Sequence, residues 1–243
     1  VLVLGFPAAA FGTNCYVVAP AAGEQCVVVD PGMEVGPRLD ELLAEHRLDP
    51  VAVLLTHGHL DHTFSVTPVA GARGIPAWIH PGDRELLNDP LKGLSHETAS
   101  LFGGRLQWTE PEDIRLLEDG AVMDLAGLHL VVDHAPGHTA GSVMFRAADG
   151  DDQWLLSGDV LFEGSIGRTD LPGGSFEAMM TSLATKCLPL DDRTMVLPGH
   201  GAATTIGRER VSNPYLVRVA QSAHPAASAE AGGRRDAGVR RGL

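Results

Sequence analysis

Cysteine is scarce in this chain. Cys15, Cys26 and Cys187 are an odd number with no C-x-x-C spacing, which excludes a disulfide framework and a thiolate zinc site and fits a reducing, cytoplasmic setting. Positive charge is also short: 18 Lys and Arg stand against 31 Asp and Glu, for a formal net charge of −13. Nucleic acid is repelled by such a surface, and no basic cluster occurs outside the last residues. No apolar run approaches the roughly 20 residues that a spanning helix needs. The opening VLVLGFPAAAFG has no basic start and is broken by Gly5 and Pro7, so it reads poorly as a signal peptide. Trp78, Trp108 and Trp154 have no spacing that sets them side by side, and read as packing rather than as a ligand cage. GDVLFEG lacks the Gly-Lys-Ser/Thr ending of a phosphate loop.

What is present is a well-filled core. With 243 residues and 44% hydrophobic composition, one compact enzyme-sized domain is expected over residues 1–221. Short strand signals recur at NCYVVA, CVVVD, VAVLLT, AWIH, LHLVVD, SVMFRA, QWLLSGD and TMVLPG. Helical patterns lie between them at 37–45, 65–72, 176–187 and 206–220, the last capped by Thr205 with Glu209 in its first turn. Strands and helices mix without a plain βαβ alternation, so the class is α/β. Residues 88–113 read as a loop-rich insertion or lid. From Ser222 onward the chain is small, polar and Gly-rich, and is expected to be a disordered tail, 222–243.

The stretch LLTHGHLDHTF, residues 54–64, places His57, His59, Asp61 and His62 directly behind an apolar run. On an extended chain His57 and His59 point to the same side and can reach one metal. If a helix starts near Leu60, Asp61 and His62 swing toward a second position. Further ligands should come from other strand ends at the same edge. His138 in APGHTAGS, Asp159 closing WLLSGD and His200 behind TMVLPG each meet that description, beside Gly or Pro that lets the backbone turn.

In this order and at these spacings, THGHLDH, APGHTAGS, SGD and PGHG resemble the metallo-β-lactamase superfamily over roughly residues 1 to 220. The resemblance implies an αββα sandwich of two mixed sheets flanked by helices, with a binuclear site at one edge. It implies that His57, His59 and His138 hold one metal, that Asp61, His62 and His200 hold the other, and that Asp159 bridges them. Asp30, in VVVDPG, is either a hydrogen-bond partner of a ligand or a plain Asp-Pro-Gly turn. His134 is a further candidate partner, whereas His46, His80, His96, His129 and His224 fall outside any motif.

Two such cations lower the pKa of a bridging water to about 7 and polarise a carbonyl, so the expected reaction is hydrolysis by metal-bound hydroxide, oriented by Asp61 as the catalytic carboxylate. Mixed imidazole and carboxylate ligands suit two zinc ions and also accept iron or manganese. SGDVLFEGSIGRTDLPGGS and PGHGAATTIGRERVSNPYL look like the glyoxalase II branch, hydrolases of small-molecule thioesters of a hydroxy acid and a low-molecular-weight thiol. Arg168 can serve there as a substrate-binding cation for the thiol's carboxylate, or can simply pair with Asp170 or Glu163. Asp170 stands where that branch carries a tyrosine, and only 43 residues follow His200, too few for the branch's helical C-terminal domain. The alternative is a persulfide dioxygenase with one iron on His57, His138 and Asp159. Oligomeric state is not legible.

Overall fold

Runs such as CVVVD and VAVLLT show no polar alternation because both faces of their strands are covered. The computed structural model describes residues 1–102 and 108–223. A first six-stranded sheet holds β1 (Leu2–Pro7), β2 (Asn14–Ala19), β3 (Gln25–Val29), β4 (Asp49–Leu54), β5 (Ala77–Ile79) and β6 (Ile114–Leu116) side by side in chain order. Pairing is antiparallel from β1 to β3 and parallel from β3 to β6.

The second sheet takes β7 (Val122–Leu125), β8 (Leu128–His134), β9 (Val143–Asp149) and β10 (Asp152–Gly158) as an antiparallel meander. The chain then makes a small ribbon, β11 (Leu161–Phe162) and β12 (Ser165–Ile166). It returns as β13 (Met195–Pro198), parallel to β10, and closes with β14 (Thr204–Thr205). Helices α1 (Gly36–His46), α2 (Leu60–Thr63), α3 (Val66–Arg73), α4 (Arg84–Asn88) and α5 (His96–Phe102) accompany the first sheet in the chain. Helices α6 (Phe176–Ser182), α7 (Ile206–Ser212) and α8 (Pro214–Ala223) accompany the second.

Alternation along each strand divides the apolar side chains among three layers. Val27, Val29, Ala52 and Leu54 meet Leu130, Val132, Phe145 and Leu156 between the sheets. Their neighbours Cys26, Val28 and Val53 turn outward onto Leu39 and Leu42 of α1 and Val66 and Val69 of α3. Met144, Leu155 and Val196 turn outward onto Met179, Ile206, Leu216 and Val219 of α6, α7 and α8. The result is the expected αββα sandwich.

Three local expectations are corrected. The pattern over 206–220 is two helices rather than one, because Pro214 lacks an N–H and Asn213 caps the new helix, its Oδ1 accepting from the N–H groups of Tyr215 (3.0 Å) and Leu216 (3.4 Å). Helix α8 continues through Ser222 and Ala223, past the boundary expected at 221; the rest of the predicted tail lies outside the described residues. The stretch 88–113 contains a turn at Pro90–Gly93 and helix α5, whose start is held by Ser95 Oγ accepting from the Thr98 N–H. The opening VLVLGFP forms β1, paired with β2 from Leu2↔Ala19 to Pro7↔Asn14. Among the described residues no helix is long and apolar enough to cross a membrane.

Phe145 is fully buried between the sheets. Phe145→Ala should therefore cost about 3–5 kcal/mol and lower Tm by roughly 6–20 °C in a thermal melt.

Candidate metal centre

Strands β4, β8, β10 and β13 deliver their C-terminal ends to one edge of the sandwich. Beyond β4 the chain stays extended through His57 and His59, then turns into α2, where the His59 carbonyl accepts from the N–H groups of His62 (3.0 Å) and Thr63 (3.1 Å). That single turn brings the His62 ring to 4.1 Å from the His57 ring and places Asp61 beside His200. The structure brings all seven expected ligands together: His57, His59, His62, His138 and Asp159 are buried, while Asp61 and His200 are half-buried.

They form overlapping groups whose ligand atoms lie within 4.8 Å of one another: His57, His59 and His138; His57, His62 and Asp159; and Asp61, His62 and His200. In the first, His59 Nδ1 lies 2.9 Å from His138 Nε2. In the last, His200 Nε2 lies 3.1 Å from Asp61 Oδ2 and 3.3 Å from His62 Nε2. Asp159 stands between the two sides, with Oδ1 3.4 Å from His62 Nε2 and Oδ2 3.5 Å from His138 Nε2 and 3.7 Å from His200 Nε2.

This arrangement fits metal ions on two independent observations. His57 Nε2 and Asp159 Oδ1 are buried without a hydrogen-bond partner, an arrangement that is costly unless a cation takes their lone pairs. A Cβ added to Gly199 would lie 2.2 Å from Asp159 Oδ1 and 2.6 Å from His62 Cε1, so glycine there keeps the space between ligands clear. A third orphan atom, His59 Nε2, points the other way, toward Gly93, where an added Cβ would lie 2.8 Å from His59 Cδ2. Nδ1 is therefore the nitrogen that His59 offers to the group.

Behind the ligands lies a set of supports. Asp30 has a left-handed backbone (φ 49°). It aims Oδ1 at the Thr56 N–H (2.8 Å) and Oδ2 at the Thr56 hydroxyl (2.6 Å) and His62 Nδ1 (3.0 Å). The structure thus places Asp30 in contact with His62, one of the expected ligands. Thr56 Oγ1 also lies 3.2 Å from His57 Nδ1. His138 Nδ1 donates to the Arg168 carbonyl at 2.7 Å, which fixes the tautomer and leaves Nε2 free to ligate. At Gly167 an added Cβ would meet the Asp159 carbonyl oxygen at 1.9 Å, so only glycine lets this loop pass.

The Arg168 guanidinium itself lies on Asp170, with Nε and Nη2 at 2.7 and 2.8 Å from its two oxygens. Arg168 thus supports the site through its main chain. His134 Nε2 donates to the Ala140 carbonyl (2.9 Å), and its ring stacks on His80 at 3.9 Å.

Sequence reasoning missed several supports. Thr13 Oγ1 donates to Asp61 Oδ2 (3.2 Å). Asn14 Nδ2 and the Tyr16 hydroxyl both donate to the Pro198 carbonyl, at 2.9 and 2.8 Å, and steady the turn that presents His200. Glu209 is fully buried and accepts from Thr204 Oγ1, the Gly164 N–H and Asn213 Nδ2 rather than facing a helix dipole in water. The TNCY stretch carried a signal in its polar side chains ahead of an apolar strand. The others become visible only as contacts across the fold.

Burial holds His57 and His59 well below the ordinary imidazole value, His59 at about 3, with nearby imidazoles adding to the effect. Burial acts on His62 as well, but Asp159, Asp61 and Asp30 outweigh it and raise His62 well above that value. His200 is raised by its hydrogen bond to Asp61 and by Asp159, again against burial. Asp61 and Asp159 are held low by His62 in spite of burial. In the metal-free protein His57 and His59 are therefore neutral and ready to ligate, while the surroundings favour the protonated form of His62 strongly and of His200 in the same direction. Metal loading should release protons from the latter pair, so affinity on that side rises with pH. A zinc titration in weak buffer with a pH indicator measures this release, which His200→Ala should reduce.

A family model described as the metallo-beta-lactamase superfamily matches residues 8–200. A Mycobacterium tuberculosis protein is 47% identical over 218 residues, covering 88% of this chain and 97% of that one. Hydroxyacylglutathione hydrolase GloC of Haemophilus influenzae is 35% identical over 210 residues, covering 86% and 95%. Among solved structures, BLEG-1 B3 metallo-beta-lactamase superposes with a TM-score of 0.79 at 37% identity, covering 88% of this chain and 99% of that chain. TTHA1623, in a di-iron-bound form, gives 0.72 at 37%, covering 88% and 100%. Together with the converging histidine and aspartate ligands, these matches establish that the chain belongs to the metallo-beta-lactamase superfamily.

Proposed function

We propose that this protein is a two-metal hydrolase of thioesters formed between a small hydroxy acid and a low-molecular-weight thiol. The observation that carries the reading is the convergence of seven buried or half-buried His and Asp side chains in three overlapping groups, with Asp159 at 3.4–3.7 Å from His62, His138 and His200. His57, His59 and His138 would hold one metal, Asp61, His62 and His200 the other, and Asp159 would be shared. Zinc suits this donor set, and iron or manganese is compatible with it; TTHA1623 carries a di-iron site. The thioester class is supported by 35% identity to a protein named hydroxyacylglutathione hydrolase.

When bound, a pair of such metals supplies activated water near neutral pH and polarises the carbonyl oxygen of the substrate. The hydrogen bonds to Asp61, from Thr13 and His200, both fall on Oδ2. Its Oδ1 is left to accept a hydrogen bond from the attacking water and so to orient it. The C–S bond then breaks, and the thiol departs without a strong acid because thiolates are stable leaving groups near pH 8. Asp30 and Thr56 hold His57 and His62 in orientation throughout. Arg168 is the proposed cation for an anionic thiol; its exposed guanidinium would exchange Asp170 for the substrate carboxylate. The buried free cysteines fit the reducing cytoplasm in which such thiols occur.

A second reading, β-lactam hydrolysis, is favoured by the 37% identity to BLEG-1 and is checked by nitrocefin turnover. The single-iron dioxygenase uses His57, His138 and Asp159 and leaves the grouping of Asp61, His62 and His200 without a role.

Metal analysis by plasma mass spectrometry, with S-lactoylglutathione hydrolysis assayed on the same sample, should find two metals per chain and turnover. One iron per chain, no hydrolysis and oxygen uptake with a thiol persulfide would establish the dioxygenase instead. Asp159→Ala should lose metal on both sides and abolish turnover with the circular dichroism spectrum kept. Arg168→Ala should raise KM severalfold for thioesters of anionic thiols only; an equal loss on neutral thioesters would show that the arginine acts through its loop.

A further inference from the structure

Asp83 is a buried acid, 1% exposed, that belongs to neither ligand group. It ends the one-turn segment Pro81–Asp83 that follows β5. We infer that Asp83 is a positioning residue that fixes the arm carrying His57 and His59 against the turn carrying His138, and so sets the metal position these three imidazoles define. The inference rests on the two-metal reading above.

Its two oxygens hold both loops at once. Oδ2 accepts from the N–H of Gly58, which lies between His57 and His59, at 2.9 Å, and from the Thr139 hydroxyl at 2.6 Å. Oδ1 accepts from the Gly141 N–H at 2.7 Å. The two loops leave different sheets, β4 in one and β8 in the other, and one main-chain hydrogen bond joins them near their bases, from the Val143 N–H to the Thr56 carbonyl at 2.7 Å. Beyond it, where His59 and His138 project, the Asp83 side chain from a third element ties Gly58 to Thr139 and Gly141.

The packing around Asp83 allows little slack. A Cβ on Gly141 would lie 2.5 Å from the Asp83 nitrogen and 2.6 Å from its Cγ; one on Gly58 would lie 2.7 Å from Leu86 Cβ and 3.1 Å from Asp83 Cβ; one on Gly82 would lie 2.9 Å from the Ala140 carbonyl. Glycine at these three positions permits the close approach. The same turn is held from its other side: His80 Nδ1 accepts from the Gly82 N–H at 3.1 Å, and the His134 ring stacked on it donates to the Ala140 carbonyl.

Asparagine tests this directly. Gly58 and Gly141 present fixed backbone donors to opposite oxygens of Asp83, so an amide in either orientation sets its NH2 against one of them. One loop must then move relative to the other.

The experiment titrates the metal-free full-length chain, Asp83→Asn and Thr139→Val with zinc against a chromophoric chelator, with circular dichroism as the check on folding. The parent should bind two zinc ions. Asp83→Asn should lose roughly 10–100-fold in affinity for one of them and keep the other within about twofold, as expected when the support behind a ligand is removed. Thr139→Val, which deletes one of the three donors, should show a smaller loss on the same ion. Unchanged affinities in both variants, or an equal loss on both ions, would overturn the assignment. If Asp83→Asn does not fold, Thr139→Val decides by the same criterion. A parent that binds a single zinc would overturn the two-metal reading, and Asp83 would then be judged by its effect on that ion.

Discussion

Seven ligand side chains held at one edge of a sandwich bring their lone pairs within a few ångströms of one another, with His57 Nε2 and Asp159 Oδ1 buried and unpartnered. Such a cluster is unfavourable by itself, since those two buried acceptors find no donor within it. The surrounding fold must therefore hold the ligands in place before metal arrives, and much of the local structure at this edge serves that purpose. The sheets supply the direction, because β4, β8, β10 and β13 end together. The loops supply the final orientation.

That orientation comes from a few hydrogen bonds with high leverage. Asp30, set by its left-handed backbone, serves Thr56 and His62 together and through Thr56 reaches His57. The Arg168 carbonyl selects the tautomer of His138. Thr13, directly ahead of β2, holds Asp61, while Asn14 and Tyr16 hold the turn before His200. Glycine does the complementary work: Gly199 keeps the space among the ligands open, and Gly167 lets its loop pass under Asp159. The glycine punctuation of the ligand motifs is thus a packing requirement at particular atoms.

The electrostatics of the two sides differ for a structural reason. His57 and His59 are buried among imidazoles and stay neutral. His62 is equally buried but is surrounded by Asp159, Asp61 and Asp30, which favour its charged form. One short segment, 57–62, therefore feeds two chemically distinct positions because α2 starts at Leu60 and turns the chain between them.

Much of this was legible in the sequence. Valine-rich runs marked the buried strands, and His57, His59, Asp61, His62, His138, Asp159 and His200 stood out because each followed such a run beside Gly or Pro. Local residue choice determined those features, and local signals survive in a one-dimensional reading. The break at Pro214 was also written there, yet the apolar period across it resembled one helix. Asp83 was not legible, since a lone polar residue in a loop carries no mark of the distant donors it will meet. The contact between the Arg168 carbonyl and His138 was not legible either, since no side-chain pattern encodes a backbone carbonyl. Sequence by itself determined which residues can bind metal and which strands deliver them. Only the tertiary structure decided which side chains hold those ligands in place, because such contacts join segments tens of residues apart whose spacing is set by the packing of two sheets.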